Sequence, residues 1–461
     1  MTAQAAPTAV PVSPLLTKKP LSLYLQYLIP SLCASLVIGL NFLIDTVCVG
    51  QKIGQAGLAA LNVVVPITGF LYALGFLFAY GASNLYSNHM GGGKIKEARS
   101  YYATAASVLA VTVLIVMVPG LWFNESISYL LCSGAPFYKQ TAQYLWYVFL
   151  FAPFYSFECF YNVFARNDNA PVFSMLGTVL DCALNIFLDF LFVWELDMGM
   201  AGASLATGIA LIVGTGVAFC ATLRKSSQLK FRFRRIRLKL LGSILRNGLP
   251  DFLREFSGSF VILVVNLLLL RLSGETAVAA YSVIANLATV VLCGLAGTSN
   301  AMQPLVSYCC GAGQHRRMRT LLRIATVTSA LLSAAYLLLA ELHPEILVRA
   351  FLEAPTPSLS RLCETGIRII SPGYLLAGLS TTFNIYAEAV HAPTQAFWIS
   401  AVRGLLAPIV CILLCVPLWG VDGVWLSFLL AEAVSFLIAL LAYWAVARRF
   451  PSAAPVPSSK I

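Results

Sequence analysis

The chain has 461 residues, of which 59% are hydrophobic and only 11% are charged, and its mean hydropathy is +0.82. Soluble globular proteins carry about 25% charged residues, so this composition excludes a soluble enzyme and a soluble nucleic-acid-binding protein. The formal net charge of +11 indicates membrane topology rather than a nucleic-acid partner, because the basic residues concentrate at the ends of apolar segments.

A helix that crosses a bilayer needs about 20 mostly apolar residues, and the chain contains twelve such segments. We therefore predict an all-α membrane protein with twelve transmembrane helices. In chain order the predicted spans are 21–49, 58–84, 101–121, 141–165, 170–194, 199–222, 249–272, 276–300, 320–340, 366–389, 394–416 and 421–447.

The longest basic stretch divides these spans into two groups of six. We predict a first six-helix lobe at 21–222, a basic cytoplasmic linker at 223–248 and a second six-helix lobe at 249–447. Residues 1–20 are rich in Ala and Pro and lack the pattern of a cleaved signal peptide, so they are predicted to be a disordered cytoplasmic tail. Residues 448–461 form the predicted C-terminal cytoplasmic tail.

The orientation of the spans follows from the distribution of Lys and Arg. Most of the 30 Lys and Arg lie on the side of the two termini, in the linker and in the loops around Lys94 and Arg316. The side richer in Lys and Arg is cytoplasmic in multi-pass membrane proteins. Both termini are therefore predicted to be cytoplasmic, in a bacterial-type plasma membrane.

The two halves of the chain also repeat each other. Matching Gly and Pro positions are related by a shift of 220 residues that grows to 222: Pro30 with Pro250, Gly91 with Gly311, Pro171 with Pro393. Each copy holds an even number of spans, so both copies enter the membrane in the same direction. Such repeats are related by a pseudo-twofold axis along the membrane normal, with the substrate pathway between the bundles. This arrangement favours an alternating-access transporter over a channel.

Ionisable groups inside a membrane are costly, so each one is a candidate functional residue. Asn185 and Asp189 are four residues apart and share one face of span 5, and Asp45 and Thr207 fall at a similar predicted depth on spans 1 and 6. Carboxylate, amide and hydroxyl oxygens at one depth could bind H⁺, or Na⁺ at Asp45 and Asp189. The alternative is that Asp45 only caps span 1 and that Asn185 only bonds a neighbouring helix.

Four further polar residues are candidates for a substrate cavity, namely Glu158, Asp181, Tyr155 and Glu255. Glu158 lies nearer the cytoplasm than the outer set. An aromatic ring such as that of Tyr155 could stack on a cationic ligand, although ordinary helix packing is the alternative for any one ring.

The second lobe carries two pairs of charges within or near its spans. Arg403 and Glu432 fall near the middle of spans 11 and 12, which predicts a structural ion pair, with a substrate contact as the alternative. Arg254 and Glu388 lie near span ends and are predicted to extend toward the membrane surface. The four histidines are isolated, so neither a metal site nor an organic cofactor is predicted.

Several strings resemble multidrug and toxic compound extrusion (MATE) transporters, including IDTVCVGQKIGQAGLAALNVVVPI, ARNDNAPVFSMLGTVLDCALNIFLDF and RGLLAPIVCILLCVPLWGVDGVWLSFLLAE. The resemblance extends over nearly the whole chain and is strongest to the DNA-damage-inducible-F-like branch. It implies a monomer that exports cationic, amphipathic organic compounds in exchange for H⁺ or Na⁺. The family's first-lobe cation site falls on the residues Asp45, Asn185, Asp189 and Thr207, with Asn162 as the member on span 4.

The resemblance leaves one alternative function open, and the sequence departs from the family pattern at one motif. A lipid-linked oligosaccharide flippase of the same wider superfamily is the alternative, but it would require a strongly basic central cavity. The family's common Arg-Gly-x-Gly-Asp motif after span 4 is replaced by Arg166-Asn167-Asp168-Asn169. The shape of this inner loop is therefore expected to differ from that of the family.

Overall fold

The computed structural model describes residues 14–53, 55–132, 137–230, 236–349 and 357–449, although it leaves undescribed some side chains within these ranges, including those of 45–47 and 269–279. All regular secondary structure in these ranges is helical. The helices are α1 Pro14–Thr17, α2 Pro20–Lys52, α3 Gln55–Gly91, α4 Ile95–Trp122, α5 Asn124–Leu131, α6 Tyr138–Leu150, α7 Ala152–Asn167, α8 Pro171–Asp189, α9 Gly199–Leu223, α10 Leu241–Gly311, α11 His315–Leu342, α12 Pro344–Arg349, α13 Pro357–Ala389, α14 Pro393–Ala401 and α15 Ala407–Ala447.

The helices reproduce the predicted spans with longer ends. Eight segments are long and apolar enough to cross a bilayer, and the number becomes nine when α6 and α7, which meet at 50°, count as one span. The remaining predicted spans lie within α10, α13 and the continuous segment from α14 to α15. Two of these helical segments are too long for a single crossing.

Helix α10 contains two of the predicted spans. Its 71 residues would extend over about 106 Å if straight, more than three times the hydrocarbon thickness of a bilayer. The Tyr80 side chain shows that α10 is not straight: its hydroxyl donates to Asn300 Oδ1 at 3.0 Å, and its ring centroid is 5.8 Å from Cζ of Arg254. In a straight helix Arg254 and Asn300 would lie roughly 69 Å apart. The chain therefore reverses between them, and α10 provides both span 7 and span 8.

The segment from α14 to α15 is also two spans. It covers Pro393–Ala447, and its 55 residues would extend roughly 82 Å if straight. The helical conformation breaks at Gly420, where φ is 57° and ψ is −126°. Side chains rarely tolerate this backbone conformation, so glycine allows the chain to turn between spans 11 and 12. With α13 as span 10, the predicted twelve-span fold is confirmed.

The pseudo-twofold relation is visible where equivalent residues meet. In a twofold arrangement a residue contacts its own equivalent only close to the axis. Tyr80 and Asn300 are equivalent by the 220-residue shift and are hydrogen bonded to each other. A Cβ at Gly91 would overlap the carbonyl oxygen of Tyr308, and a Cβ at the equivalent Gly311 would overlap that of Asn88. Helix α3 and the C-terminal part of α10 therefore cross near the axis.

Polar side chains join the lobes beside this crossing, and we call Asn84, Asn167, Gln303 and Ser307 the interlobe seam. Gln303 Nε2 donates to Asn84 Oδ1, Ser307 Oγ donates to the Asn84 carbonyl at 2.7 Å, and Asn167 Nδ2 donates to Gln303 Oε1 at 3.2 Å. All four residues are buried. Hydrogen bonds shielded from water hold this end of the two lobes together, and this end is the face that carries most of the Lys and Arg, which we call the basic face.

The unusual loop after α7 has a structural role on the same face. Asp168 Oδ1 accepts hydrogen bonds from Tyr86 at 2.9 Å and from the main-chain NH of Gln228 at 3.1 Å. Arg224 lies 3.5 Å from Asp168 Oδ2, and burial raises the pKa of the Asp168 carboxyl group. Asn169 Oδ1 accepts from Tyr27 of α2 at 2.9 Å. The loop that departs from the family motif therefore connects α2 and the start of the linker to the rest of the first lobe.

The predicted boundaries of the N-terminal tail and of the linker differ from the helix boundaries in the structure. Residues 1–13 and 450–461 lie outside the described residues, but α1 is helical and its Leu15 is buried, so order begins before the predicted boundary at residue 20. Helix α10 begins at Leu241, so the irregular part of the linker is shorter than 223–248.

Candidate coupling and substrate sites

Asn185, Asp189 and Thr207 lie near the ends of α8 and α9 that are remote from the basic face. Asn185 and Asp189 are only 1% and 2% exposed and lie one turn apart on α8. Asn185 Nδ2 donates to Thr207 Oγ1 at 3.3 Å, while the Thr207 hydroxyl donates to the Ala203 carbonyl at 3.1 Å. Asp189 is the last residue of α8 before a π-helical turn at Phe190–Glu195, a type of irregularity found frequently at functional sites.

The main-chain register places Asp45 at the same depth as this set. The Asp45 side chain lies outside the described residues, but its main chain belongs to α2, which packs against α8. Cys182 Sγ on α8 lies 3.8 Å from the Val37 carbonyl on α2. Both helices run away from the basic face, so Asp45 is about 12 Å and Asp189 about 10 Å further from that face than this contact. The two residues are therefore level to within about one residue.

Asn162 belongs to a different group of contacts. Its Nδ2 lies 3.3 Å from Glu158 Oε1 and 3.4 Å from Thr178 Oγ1. Thr178 precedes Asp189 by three turns of α8, a distance of about 16 Å toward the basic face. These contacts therefore give Asn162 partners at a different depth from the contact between Asn185 and Thr207.

Three of the four substrate-cavity candidates converge on Tyr72, a residue that the sequence did not single out. Tyr155 packs edge-on against Tyr72 with ring centroids 5.2 Å apart. Glu158 and Asp181 are also close enough to interact electrostatically with the Tyr72 hydroxyl. Two aromatic rings beside two acidic groups suit an organic cation. Glu255 lies on α10 in the second lobe and is close enough to interact electrostatically with Cys159, the residue next to Glu158.

The second lobe contains a buried ionic cluster that corrects the prediction for Arg254 and Glu388. Instead of extending to the membrane surface, Arg254 Nη2 lies 2.6 Å from Asp251 Oδ1, and Nη1 lies 3.8 Å from Glu388 Oε1. The side chains of Asp251 and Glu388 are 0% exposed. An oppositely charged partner removes the need for Arg254 to reach water. Asp251 had not been predicted; its spacing of three residues before Arg254 was the available signal.

Arg403 and Glu432 meet as predicted. Arg403 Nε lies 3.1 Å and 3.0 Å from the two carboxylate oxygens of Glu432, and Nη1 donates to Thr381 Oγ1 at 2.6 Å. Arg403 belongs to a second π-helical turn, Val402–Leu406. Within the described part of the chain, no group of three or more His, Cys, Asp or Glu side chains is arranged to hold a metal ion.

The fold and these groups define a class: a two-lobed, multi-pass membrane transporter with ionisable residues inside its bundles. The MatE family model matches residues 30–191 and 250–413, one match in each lobe and together more than half of the chain. The chain belongs to the MatE family, so it is a transporter and not an enzyme, and the resemblance found in the sequence is confirmed.

Relatives of known name agree with this assignment. The chain is 24% identical to the multidrug export protein MepA of Staphylococcus haemolyticus, over 92% of this chain and 93% of that protein. Identity to MepA of Staphylococcus aureus strain MSSA476 is 25%, over 83% and 84% of the two chains.

Solved structures show the same fold. The MATE multidrug transporter DinF-BH superposes with a TM-score of 0.84 at 24% identity, covering 93% of this chain and 96% of that one. A mutant of the Vibrio cholerae MATE transporter VcmN superposes with a TM-score of 0.85 at 20% identity, covering 93% and 97%. The flippase alternative is not favoured by these comparisons.

Proposed function

We propose that this transporter exports cationic, amphipathic organic compounds in exchange for H⁺ or Na⁺, with the coupling ion bound in the first lobe by Asp45, Asn185, Asp189 and Thr207. The observation that carries the proposal is the hydrogen bond from the buried Asn185 to Thr207, with the buried Asp189 one turn away at the level of Asp45. The names of the MepA relatives support drugs as the substrate class.

The coupling step follows from the cost of burying two carboxylates together. Two ionised carboxylates at one depth repel each other and lose hydration when the lobe closes around them. Binding of H⁺ or Na⁺ removes most of this penalty and also weakens the attraction for a cationic substrate. Asn185 and Thr207 hold polar atoms beside the pair, so the ion meets oxygen ligands that are already placed. Exchange then requires only that ion and substrate bind the two conformations with different affinity.

Alternating access would act on the interlobe seam. The basic face, which we propose to be cytoplasmic together with both termini, is closed by the hydrogen bonds of the seam. Opening toward this face would break the contacts of Gln303 and Ser307 with α3 and separate Tyr80 from Asn300. The lobes would move as bodies, and a single chain would suffice for transport.

The Asp251 and Glu388 cluster in the second lobe is a second candidate coupling site. Two carboxylates share one guanidinium, so the three groups carry a net negative charge unless one carboxyl group is protonated. A buried cluster that is neutral only with a bound proton could bind and release one during transport. We rank it second, because Arg254 already compensates one carboxylate.

The proposal is tested with the full chain in proteoliposomes containing a fluorescent organic cation. Outward-directed transport should follow an imposed pH gradient or an imposed sodium gradient when each is applied separately. Collapse of the effective gradient with an ionophore should stop transport. Movement of the cation at the same rate without either gradient would contradict ion-coupled exchange.

A further inference from the structure

A cavity of about 280 Å³ opens on the basic face, next to the interlobe seam and about one helical turn from Asp251 and Glu388. Leu85 of α3 contributes the wall from the first lobe. The other walls come from the second lobe: the start of α10, the loop between α13 and α14 together with the start of α14, and the turn that follows α15. The cavity therefore bridges the two lobes at the membrane surface.

The rim of this cavity is positively charged. Arg246 and Arg449 both line the cavity and are exposed. Arg246 Nη2 donates to Thr394 Oγ1 at 3.3 Å, which places the guanidinium group beside the opening. The lining residues of the described chain include no Asp or Glu, so neither guanidinium group is neutralised within the cavity.

Three of the residues that line the cavity carry buried polar atoms without partners. Asn247 is 8% exposed, and its Nδ2 donates to the Ser243 carbonyl at 2.8 Å, but its Oδ1 is buried without a hydrogen bond. Gln395 Oε1 and both ring nitrogens of His391 are likewise buried and make no hydrogen bond with the described protein. Such atoms are costly to bury, so a hydrogen-bond donor that reached them would stabilise this part of the protein.

We propose that this cavity binds the headgroup of an anionic glycerophospholipid, with the phosphodiester on Arg246 and Arg449. Guanidinium groups bind phosphate oxygens through charge-assisted hydrogen bonds, and basic pockets between transmembrane helices suit lipid headgroups. The volume lies below the range of about 300–1,000 Å³ typical of drug-sized ligands, so the cavity fits a headgroup better than a transport substrate.

The surroundings favour a membrane lipid over a free phosphate ester. Leu245 and Leu249 flank Arg246 on α10 and are exposed, so they offer apolar surface for acyl chains beside the headgroup. Because the cavity has walls from both lobes, a bound headgroup would stabilise the conformation in which the seam is closed. This inference rests on the proposed function in one respect: the cytoplasmic orientation proposed for the basic face decides which leaflet supplies the lipid.

The test measures lipid binding to the purified full chain in detergent by native mass spectrometry. Phosphatidylglycerol is titrated against the protein, with phosphatidylcholine and soluble glycerol phosphate as separate comparisons. The test variant combines Arg246→Gln with Arg449→Gln. The matched control combines Arg323→Gln with Arg448→Gln, two exposed arginines outside the cavity whose loss changes the net charge equally.

We expect at least one phosphatidylglycerol molecule to bind more tightly than phosphatidylcholine, and the test variant to weaken that binding by about tenfold or more, as loss of one charge-assisted contact does. The control should bind like the unmodified chain. Equal weakening in both variants would mean that general attraction to anionic lipid, not this cavity, holds the lipid. Equal binding of soluble glycerol phosphate would overturn the assignment to a membrane lipid. Thermal unfolding in phosphatidylcholine checks that both variants fold.

Discussion

The two lobes carry opposite charges at two equivalent positions. The 222-residue shift places Asp181 on Arg403 and Arg166 on Glu388. In the second lobe, Arg403 pairs with Glu432, and Glu388 Oε1 lies 3.8 Å from Nη1 of Arg254. In the first lobe, Arg166 donates from Nη2 to the Tyr80 hydroxyl at 3.2 Å instead of meeting a carboxylate. Ancestral symmetry therefore preserves the positions of these residues but not their charge.

The proposed ion site shows the same divergence. The equivalents of Asn185 and Asp189 are Ala407 and Cys411, both buried in the second lobe. The first lobe places an amide and a carboxyl group where the second lobe is packed with small apolar side chains. The second lobe instead places opposite charges in contact, which suits rigid packing. The comparison supports our proposal that the coupling ion binds in the first lobe, with the charges of the second lobe serving mainly structure.

The largest effect is expected from Asp189→Asn. The amide has nearly the shape of the carboxyl group, so the variant should fold and reach the membrane. It cannot gain or lose the charge on which coupling depends, so gradient-driven export should fall by about 100-fold, or roughly 2.7 kcal/mol of lost coupling free energy. The measurement is export of a fluorescent cation from proteoliposomes at fixed protein content.

Two carboxyl variants make this result interpretable. Asp197→Asn is the matched control, because Asp197 is exposed and pairs with Lys52 at the surface, and the variant should export normally. Asp251→Asn tests the second lobe and should keep its dependence on pH or sodium. If Asp251→Asn loses ion dependence while Asp189→Asn keeps it, the assignment of the two lobes must be reversed.

A smaller effect, on stability rather than on coupling, is expected at the ion pair of Arg403 and Glu432. Removing one partner by Glu432→Gln leaves a buried guanidinium group without its carboxylate, which typically costs about 3–5 kcal/mol. The midpoint of thermal unfolding in detergent should fall clearly. Exchanging the two residues, by Arg403→Glu with Glu432→Arg, should recover part of that loss. A normal midpoint for Glu432→Gln would show that the pair contributes little to the fold.

Sequence reasoning succeeded where periodicity and depth were sufficient. Asn185 and Asp189 share a helix face because they are four residues apart, and the depth estimate correctly brought Asn185 to Thr207. Depth alone also suggested the meeting of Arg403 and Glu432. Twelve spans and the repeat followed from apolar segment lengths, which the need to satisfy backbone hydrogen bonds in lipid makes informative.

Sequence reasoning failed where the interaction partner of a charged residue lies far away in the chain. Arg254 looked like a residue at a span end, because nothing in the local pattern shows that Glu388 approaches it from another helix. The role of Asp168 was missed for the same reason, since its hydrogen-bond donors come from α3 and from the linker. Depth along the membrane normal can be read from sequence, but the lateral packing of helices cannot.

The smallest expected effect concerns the hydroxyl group of Thr207 and refines the comparison within the first lobe. Thr207→Val keeps the shape of the side chain but removes the oxygen that accepts from Asn185 Nδ2, and this oxygen has no counterpart at the equivalent positions of the second lobe. Leaving the buried amide without its acceptor costs about 1–3 kcal/mol. If the amide positions the coupling ion, the ion concentration that gives half-maximal export should rise by about tenfold, with less change in maximal rate. Thr207→Ser retains the hydroxyl and should stay within about twofold of the unmodified protein by the same scale. A Thr207→Val variant with unchanged ion dependence would mean that Asn185 and Thr207 only join α8 to α9, leaving the carboxyl groups of Asp45 and Asp189 to bind the ion alone.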